Sequence, residues 1–324
     1  MTMRGVWLSV VVLSTTRAAS ADALIDRDNG PLSGLFGFPD SREGSQLAAE
    51  GDSRWELSAS VSSHSTRDSG GGESLLFDGE TARFGVTWRR GITERLELGV
   101  ELPWVLHESG NLDSFIDRWH DIFSLPDGIR DERPHDRLLF RYGDGTRLLT
   151  LQRNVGGPGD VRLLGGWQLT GGTSGSSALR LSVKLPTGDS DSLLGSGSTD
   201  ISLGFASDRS RLLGLERFSG FYRINATWLG AHDIGIRRNS SLVGQASGGI
   251  RYALTPRTSL ALQAMVRSPV YDSDVSPLGD FAASVTMGVR FRLPHGYSLA
   301  FSVGEDIHPH SMPDVTFGMQ LQAR

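Results

Sequence analysis

Apolar and polar side chains alternate without a break along residues 95–104. Every second position is apolar, and these residues are Leu96, Leu98, Val100, Leu102 and Trp104. The positions between them hold Arg95, Glu97, Gly99, Glu101 and Pro103. Successive side chains of an extended chain point to opposite faces, so this order predicts a β-strand with one apolar and one polar face.

The same alternation recurs along the chain, and no segment is left over to cover so many apolar faces. A helical membrane protein would carry several apolar runs of about 20 residues, and the sequence has none. Only 38% of the residues are hydrophobic, which suits an all-β membrane protein because only every second strand residue faces lipid. The pattern therefore predicts an all-β fold, an antiparallel transmembrane β-barrel.

About twelve segments carry the alternation, an even number, as single-chain bacterial barrels require. They lie at residues 55–61, 82–88, 95–104, 161–169, 179–185, 201–205, 218–228, 242–254, 260–266, 281–291, 297–303 and 315–321. The connections at 91–93, 255–257 and 294–296 are short, and those at 63–78, 187–199, 229–241 and 268–279 are longer and polar. Short turns face the periplasm in outer-membrane barrels, so both termini are expected there.

The N-terminus predicts export. Arg4, the apolar stretch 5–13 and the small residues Ala19-Ser20-Ala21 form the pattern of a secretory signal peptide over residues 1–21. A signal peptide followed by β-strands predicts the outer membrane of a Gram-negative bacterium. Residues 22–52 then form a periplasmic N-terminal segment or plug, and 53–324 the barrel. The apolar tract 31–39 either tucks into the periplasmic mouth or belongs to a loose terminus.

The longest interruption covers residues 107–159, and a loop of this length is usually functional or disordered. Apolar residues recur at helical spacing from Leu112 to Phe123, after Asn111 as a helix N-cap, and residues 138–152 read as a hairpin. The short helix either plugs the lumen, lies on the outer leaflet or packs on the hairpin. The candidate residues of this loop are Trp119, His120, Asp121, Asp127, Arg130 and Asp131.

Histidine and aspartate side chains in the same loop allow a metal or general-base site. Arginines accompany them, so an ion-pair network that holds the loop together is the preferred interpretation. His308 and His310 flank a proline in a predicted outer loop and are interpreted as a surface pair. The sequence thus predicts no catalytic residue, no metal site and no cofactor.

Residues 112–131, LDSFIDRWHDIFSLPDGIRD, resemble a family of bacterial outer-membrane proteins known only as a domain of unknown function. The resemblance extends to GPLSGLFGFP at 30–39 and to the strand–turn units GITERLELGVELPW and LRLSVKLPTGD. The tract LPTGD at 185–189 more distantly resembles outer-membrane proteins associated with degradation of aromatic compounds, which are presumed porters. The resemblance implies a barrel, but it implies no activity and no functional site, because none is established for the family.

The polar faces of the predicted strands are rich in arginine. The candidates for the lumen are Arg83, Arg95, Glu97, Glu101, Arg162, Arg180, Lys184, Arg223, Arg267 and Arg290. This set is net basic, and two interpretations remain open. Either arginine–glutamate ladders fill a narrow barrel, or the positive field favours anionic solutes.

Three functions compete. The first is a narrow pore or porter for small solutes, and the second is a non-conducting structural barrel that binds lipopolysaccharide or an envelope partner. The third, less favoured, is an outer-membrane lipid hydrolase, which needs a serine–histidine pair on the outer face; His64, near Ser62 and Ser65, lies at a strand end. We therefore expect no enzyme. Expected partners are outer-membrane lipid, lipopolysaccharide and a small-molecule solute, with no nucleic acid.

Overall fold

The structure, a computed structural model, describes residues 23–110, 137–232, 234–237, 239–308 and 312–323. Its strands are β1 (Ser53–Gly70), β2 (Glu73–Gly91), β3 (Leu96–Glu108), β4 (Leu139–Gly143), β5 (Leu148–Leu151), β6 (Val155–Pro158), β7 (Arg162–Thr170), β8 (Gly175–Lys184), β9 (Asp200–Arg209), β10 (Phe218–Leu229), β11 (Leu242–Ala253), β12 (Thr258–Arg267), β13 (Ala282–Arg292), β14 (Ser298–Asp306) and β15 (Val315–Ala323).

Twelve of these strands form a closed antiparallel barrel. Each of β1 to β3 and β7 to β15 pairs with its neighbours in chain order, and β1 closes the ring against β15. The prediction of a barrel of about twelve strands is confirmed, and each predicted alternating segment overlaps one barrel strand. The period of two gives each strand an apolar face for lipid. The sheet then closes into a ring because every backbone group in a closed ladder has a partner.

The apolar members of the alternation point away from the lumen and lie at the outer surface. Trp55, Leu102 and Trp228 are each about half exposed, although residues of this kind are normally buried. Glu97 and Glu101, their polar neighbours on β3, are buried inside the ring. The barrel therefore has an apolar outside and a polar inside, the arrangement of a transmembrane barrel.

The first hairpin is longer than the sequence predicted. Residues 63–78 were expected to form a loop, but β1 and β2 stay paired up to a two-residue turn at Gly71 and Gly72, both with positive φ. Residues 63–78 lack a strict alternation of apolar and polar side chains because this part of the hairpin projects beyond the apolar band of the barrel. β4 and β5 add to the projecting part of β2, and β6 adds to the end of β3.

Connections at the two ends of the barrel differ in length. Residues 92–95, 171–174, 210–217, 254–257 and 293–297 join strands at the end where both termini lie, which we call the turn end. The opposite, loop end carries the first hairpin and the longer connections, including one helical turn, α1 (Ser276–Gly279). No helix among the described residues is long and apolar enough to cross a membrane.

Residues 23–49 run inside the barrel and are nearly all buried. The segment begins near Arg290 at the turn end, reaches Tyr271 at the loop end and returns to Gly91 at the turn end. We call this inserted hairpin the plug. Its apolar tip, residues 31–38, packs at the loop end, whereas the sequence had left open a place at the mouth of the opposite end or in a loose terminus.

The largest apolar core of the described residues lies where the plug tip meets the loop end. Leu32, Leu35, Phe36 and Phe38 of the plug pack there against side chains of the projecting strands and loops. Their partners include Phe77, Leu138, Phe140, Tyr142, Leu193, Ile236, Val270, Tyr271, Val275 and Leu278. This cluster holds the plug tip by apolar burial, whereas the rest of the plug faces a polar wall.

Candidate functional site: the plugged lumen

The interior of the barrel brings together most of the residues that alternation assigned to it. Inward-facing side chains include Arg83, Glu97, Glu101, Arg162, Arg180, Lys184, Arg223, Arg267 and Arg290, all buried except for the partly exposed Arg83. Arg95 is the exception: it lies exposed in the turn 92–95. It precedes β3, which begins at Leu96, and so lies outside the buried interior.

Glu101, at mid-height on β3, lies at the centre of a buried charge cluster. One carboxylate oxygen accepts from Arg162 of β7 at 2.7 Å, and the other lies 3.1 Å from the Arg27 guanidinium of the plug. Arg83 of β2 lies 3.9 Å away. Arg162 also reaches Glu43 on the returning arm of the plug, at 2.5 Å. Both arms of the plug are thus tied to the same pair of wall residues.

Glu97 forms a second cluster, closer to the turn end. Arg180 of β8 donates to it at 2.7 Å and Arg89 of β2 lies 3.4 Å away. The backbone N–H of Ala48 in the plug donates to its other oxygen at 2.6 Å. Arg180 also donates to the carbonyl of Gly44. The plug backbone therefore completes the hydrogen bonds of a pair that the wall only partly satisfies.

Lys184, the only lysine of the chain, is buried at the loop end of β8. It lies 2.6 Å from Asp160 and 3.4 Å from Asp200, and it donates to Ser196 Oγ at 2.6 Å. Asp200 in turn accepts from the backbone N–H of Gly37 in the plug at 2.9 Å. A buried ammonium with two carboxylates is neutralised, so it presents no free positive charge to a solute.

The wall opposite β3 repeats this pattern. Arg267 pairs with Asp28 of the plug at 2.7 Å and lies over the ring of Phe38, 4.5 Å from its centroid. Arg223 pairs with Asp208 at 3.0 Å, and the backbone N–H of Ser45 donates to the same carboxylate.

Arg290 lies near the start of the plug at the turn end. Its guanidinium donates to the carbonyl of Ala23 at 2.9 Å and to Gln320 at 3.1 Å. On β1, which pairs with the β15 strand of Gln320, Glu56 accepts from Gln320 and from Gln322 and pairs with Arg42 of the plug. The polar contacts thus continue to the end of the lumen at which the plug enters.

The sequence pattern predicted the basic residues of these ion pairs in the lumen but few of the acidic residues. Asp200 and Asp208 alternate with Ile201, Leu203 and Phe205, so the period of two places them in the lumen. The plug acids Asp28 and Glu43 carry no such signal because residues 22–52 have no period. With these carboxylates in place, the lumen is an ion-paired interior, and the positive field expected from the wall alone is largely neutralised.

The plug occupies the interior of the barrel along residues 23–49. A partly open cavity of about 20 Å³ lies beside Arg27, Arg83 and Arg162, which is room for about one water molecule. Beyond it, the Tyr271 hydroxyl donates to the carbonyl of Leu32 at 3.1 Å, and burial raises the pKa of this tyrosine above its ordinary value. Along the described residues the plug thus lies in the lumen from the turn end to the loop end.

The candidate residues of the long loop and the candidate histidines are not part of the charge clusters of the plugged lumen as described. Trp119, His120, Asp121, Asp127, Arg130 and Asp131, together with the predicted helix, lie outside the described residues, as does His310. His64 is buried inside the ring, where it bonds Thr81 at 2.9 Å and packs against Phe140. It is therefore not placed for the outer-face serine–histidine pair that a lipid hydrolase needs.

Comparison with known proteins places the chain in a family. Residues 5–324 match the family described as a protein of unknown function, DUF3187. The chain belongs to this family. The resemblance predicted from residues 112–131 and 30–39 is therefore confirmed. No curated protein matches the chain.

Solved structures similar to this DUF3187 member include an outer-membrane channel, a porin and a toluene transporter. The COG4313 outer membrane channel from Pseudomonas putida F1 is 14% identical, with a TM-score of 0.55 over 87% of this chain and 97% of that one. The KdgM porin, solved with oligogalacturonate, is 7% identical, with a TM-score of 0.43 over 84% and 98%. The Pseudomonas putida toluene transporter TodX is 10% identical, with a TM-score of 0.39 over 94% and 95%. The first likeness shows a shared outer-membrane channel fold.

Proposed function

We propose that this DUF3187 protein is a gated porter for small solutes in the outer membrane of a Gram-negative bacterium. In this proposal the plug closes the lumen, and a solute passes only when the plug shifts. The observation that carries the proposal is the way the plug is held. Along most of its length its contacts with the wall are hydrogen bonds and ion pairs, which water or a polar solute can replace.

The connection of the plug to the barrel supports movement. The twelve-stranded ladder is closed without it. The segment that follows the plug joins the sheet at Gly91 alone, through a bridge from Glu50 and backbone hydrogen bonds with Gly51 and Asp52. Gly51 has a φ of 80°, which is in the left-handed region that glycine adopts freely. Residues 51 and 52 can therefore act as a hinge while the barrel strands stay paired.

A reversible tether tests whether the plug must move. The chain has no cysteine, and the hydroxyls of Ser45 in the plug and Ser176 in β8 lie 2.6 Å apart. In the Ser45→Cys, Ser176→Cys variant we expect solute-driven swelling of proteoliposomes to stop on oxidation and to return on reduction. The two single variants are the controls. Equal swelling of the oxidised and reduced double variant would contradict a moving plug.

A second candidate function is a non-conducting barrel that binds lipopolysaccharide through its loop end. The exposed arginines of the loop end favour it, and these are Arg67, Arg141, Arg147 and Arg237. Guanidinium groups bind phosphates by paired hydrogen bonds. This candidate predicts no swelling in either redox state and lipopolysaccharide binding that Arg67→Gln or Arg141→Gln weakens.

A further inference from the structure

The turn 210–217 differs from the other connections of the turn end. It has eight residues, where the others have four or five, and its sequence SRLLGLER places three leucines among charged residues. The Leu212 N–H donates to the Phe218 carbonyl at 2.9 Å. A Cβ built on Gly220 would lie 3.3 Å from Leu212 Cδ1, so Leu212 covers this glycine. Gly220 is on the outward face of β10, so the turn leans over the outside of the barrel.

Leu213, at the tip of this turn, is exposed to an unusual degree. It is 91% exposed, the largest value among the exposed large hydrophobic residues described. Its φ of 52° lies in the left-handed region, which costs a non-glycine residue energy. Such an exposed and strained leucine has no packing role within the described part of the chain. At the edge of a membrane it would enter the hydrocarbon.

A groove begins under Leu212 and runs up the outer wall across β10 to β13. Its volume is about 580 Å³, and its surface is almost entirely apolar. The register explains the shape: Tyr222, Gly248, Ala264 and Val285 form one row across four strands, with the two smallest side chains in the middle. Tyr222, Ile250 and Leu262 flank this gap. A barrel surface is otherwise convex, so this is a local concave site.

Arg209 lies at the turn-end limit of the groove. It pairs in register with Gly220 on one side and Gly175 on the other. Its side chain is exposed and leans over Gly175, where a built Cβ would lie 3.5 Å from Nη1, so the guanidinium reaches the groove by rotating about its side-chain bonds. Among the described residues no carboxylate is paired with Arg209, whereas Arg211 of the neighbouring turn lies 3.2 Å from Glu216. Trp55 and Trp88, whose ring centroids lie 6.3 Å apart, belong to the same end of the barrel. Tryptophan belts mark the level of lipid headgroups.

We propose that this groove binds one phospholipid of the leaflet that meets the turn end. One acyl chain lies along the row from Tyr222 to Val285, and the phosphate pairs with Arg209. The charge of the guanidinium and the apolar surface that continues from it match the two parts of such a molecule. Lipopolysaccharide belongs to the opposite leaflet. The site needs the barrel to lie in a bilayer and does not depend on conduction.

The test counts bound lipid on the purified full chain by native mass spectrometry during titration with dioleoyl-phosphatidylglycerol. We expect Arg209→Gln to lower the affinity for the first lipid about tenfold, as for one charge-assisted contact. Ala264→Leu fills the middle of the groove and should lower it similarly. Two matched controls should bind lipid as the wild type does. Arg95→Gln lies in another turn of the same end, and Ala226→Leu lies on the outward face of β10 outside the groove.

The proposal requires both groove variants to lose affinity while both controls keep it. Binding that is unchanged in Arg209→Gln or in Ala264→Leu would overturn it, and so would an equal loss in the controls. A dimer in the wild type that Ala264→Leu converts to a monomer would also overturn it, because the groove would then hold a second copy of the chain. Unchanged gel mobility of the folded barrel before heating shows that each variant is folded.

Discussion

Glu101 illustrates how a single side chain can hold a whole segment in place. Its carboxylate lies within 4 Å of Arg27, Arg83 and Arg162, and Arg162 continues the contact to Glu43. The side chains of Glu101 and Arg162 are almost completely buried. A buried charge pair adds little net stability by itself, but the loss of one partner leaves the other uncompensated.

Removal of the Glu101 charge should therefore destabilise the protein. We expect Glu101→Gln to lower the free energy of unfolding by about 3 kcal/mol, because three guanidinium groups lose their shared carboxylate. Urea titration followed by the gel mobility of the folded barrel measures it. Glu94→Gln, in the exposed turn 92–95, is the control. The addition of Arg27→Gln to Glu101→Gln should recover part of the lost stability. Equal stability of Glu101→Gln and Glu94→Gln would contradict the central place of Glu101.

At the scale of elements, the loop end contains a contact between two segments that are distant in the chain. Glu73 at the start of β2 accepts from the Ser273 hydroxyl at 2.6 Å, from the Asp274 N–H at 2.7 Å and from the Tyr142 hydroxyl at 2.6 Å. These bonds join the first hairpin to the connection that carries α1. Asp68 adds a bond from the Ser276 N–H.

This contact should depend on pH. Burial alone would raise the pKa of Glu73, but the bonds from Ser273, Tyr142 and Asp274 outweigh it, and the pKa lies below its ordinary value. A carboxylate with a lowered pKa stabilises the contact above the ordinary glutamate pKa of about 4.3 and loses this effect as the pH falls through the lowered value. We therefore expect the hairpin and the α1 connection to separate in acid, below about pH 4.

Spin labels on Ser69→Cys and Asp280→Cys can measure this separation, because both positions are exposed and the chain has no other cysteine. The distance distribution should broaden as the pH falls. The further change Glu73→Gln should leave a smaller response. A response of the same size with glutamine at position 73 would show that Glu73 does not control the contact.

The path of the plug could not be predicted from the local sequence pattern, whereas the barrel strands could. The twelve wall strands carry a period of two because one face meets an apolar solvent and the other a polar lumen. Residues 23–49 meet polar wall side chains on several sides, so no period marks them. Asp28, Glu43 and Asp200 acquire partners only when distant strands close into a ring, which the local pattern does not contain.

At the scale of the whole molecule, alternation of side chains fixed the class of fold and the faces of the strands in advance. It did not reveal that the lumen is filled. A barrel of eight strands is filled by its own side chains and one of sixteen encloses an aqueous channel. At twelve strands the interior exceeds what the wall can fill, and a separate segment occupies the remainder. Whether this protein conducts therefore depends on that segment.

Planar-bilayer conductance of the full chain and of a variant that lacks residues 23–49 tests the account most directly. We predict that the full chain is closed for most of the time, with brief openings, and that the variant conducts steadily, because the closed ladder of β1 to β15 does not need the plug. Gel mobility before and after heating verifies that the variant still forms a barrel. A folded variant that stays as closed as the full chain would contradict the account.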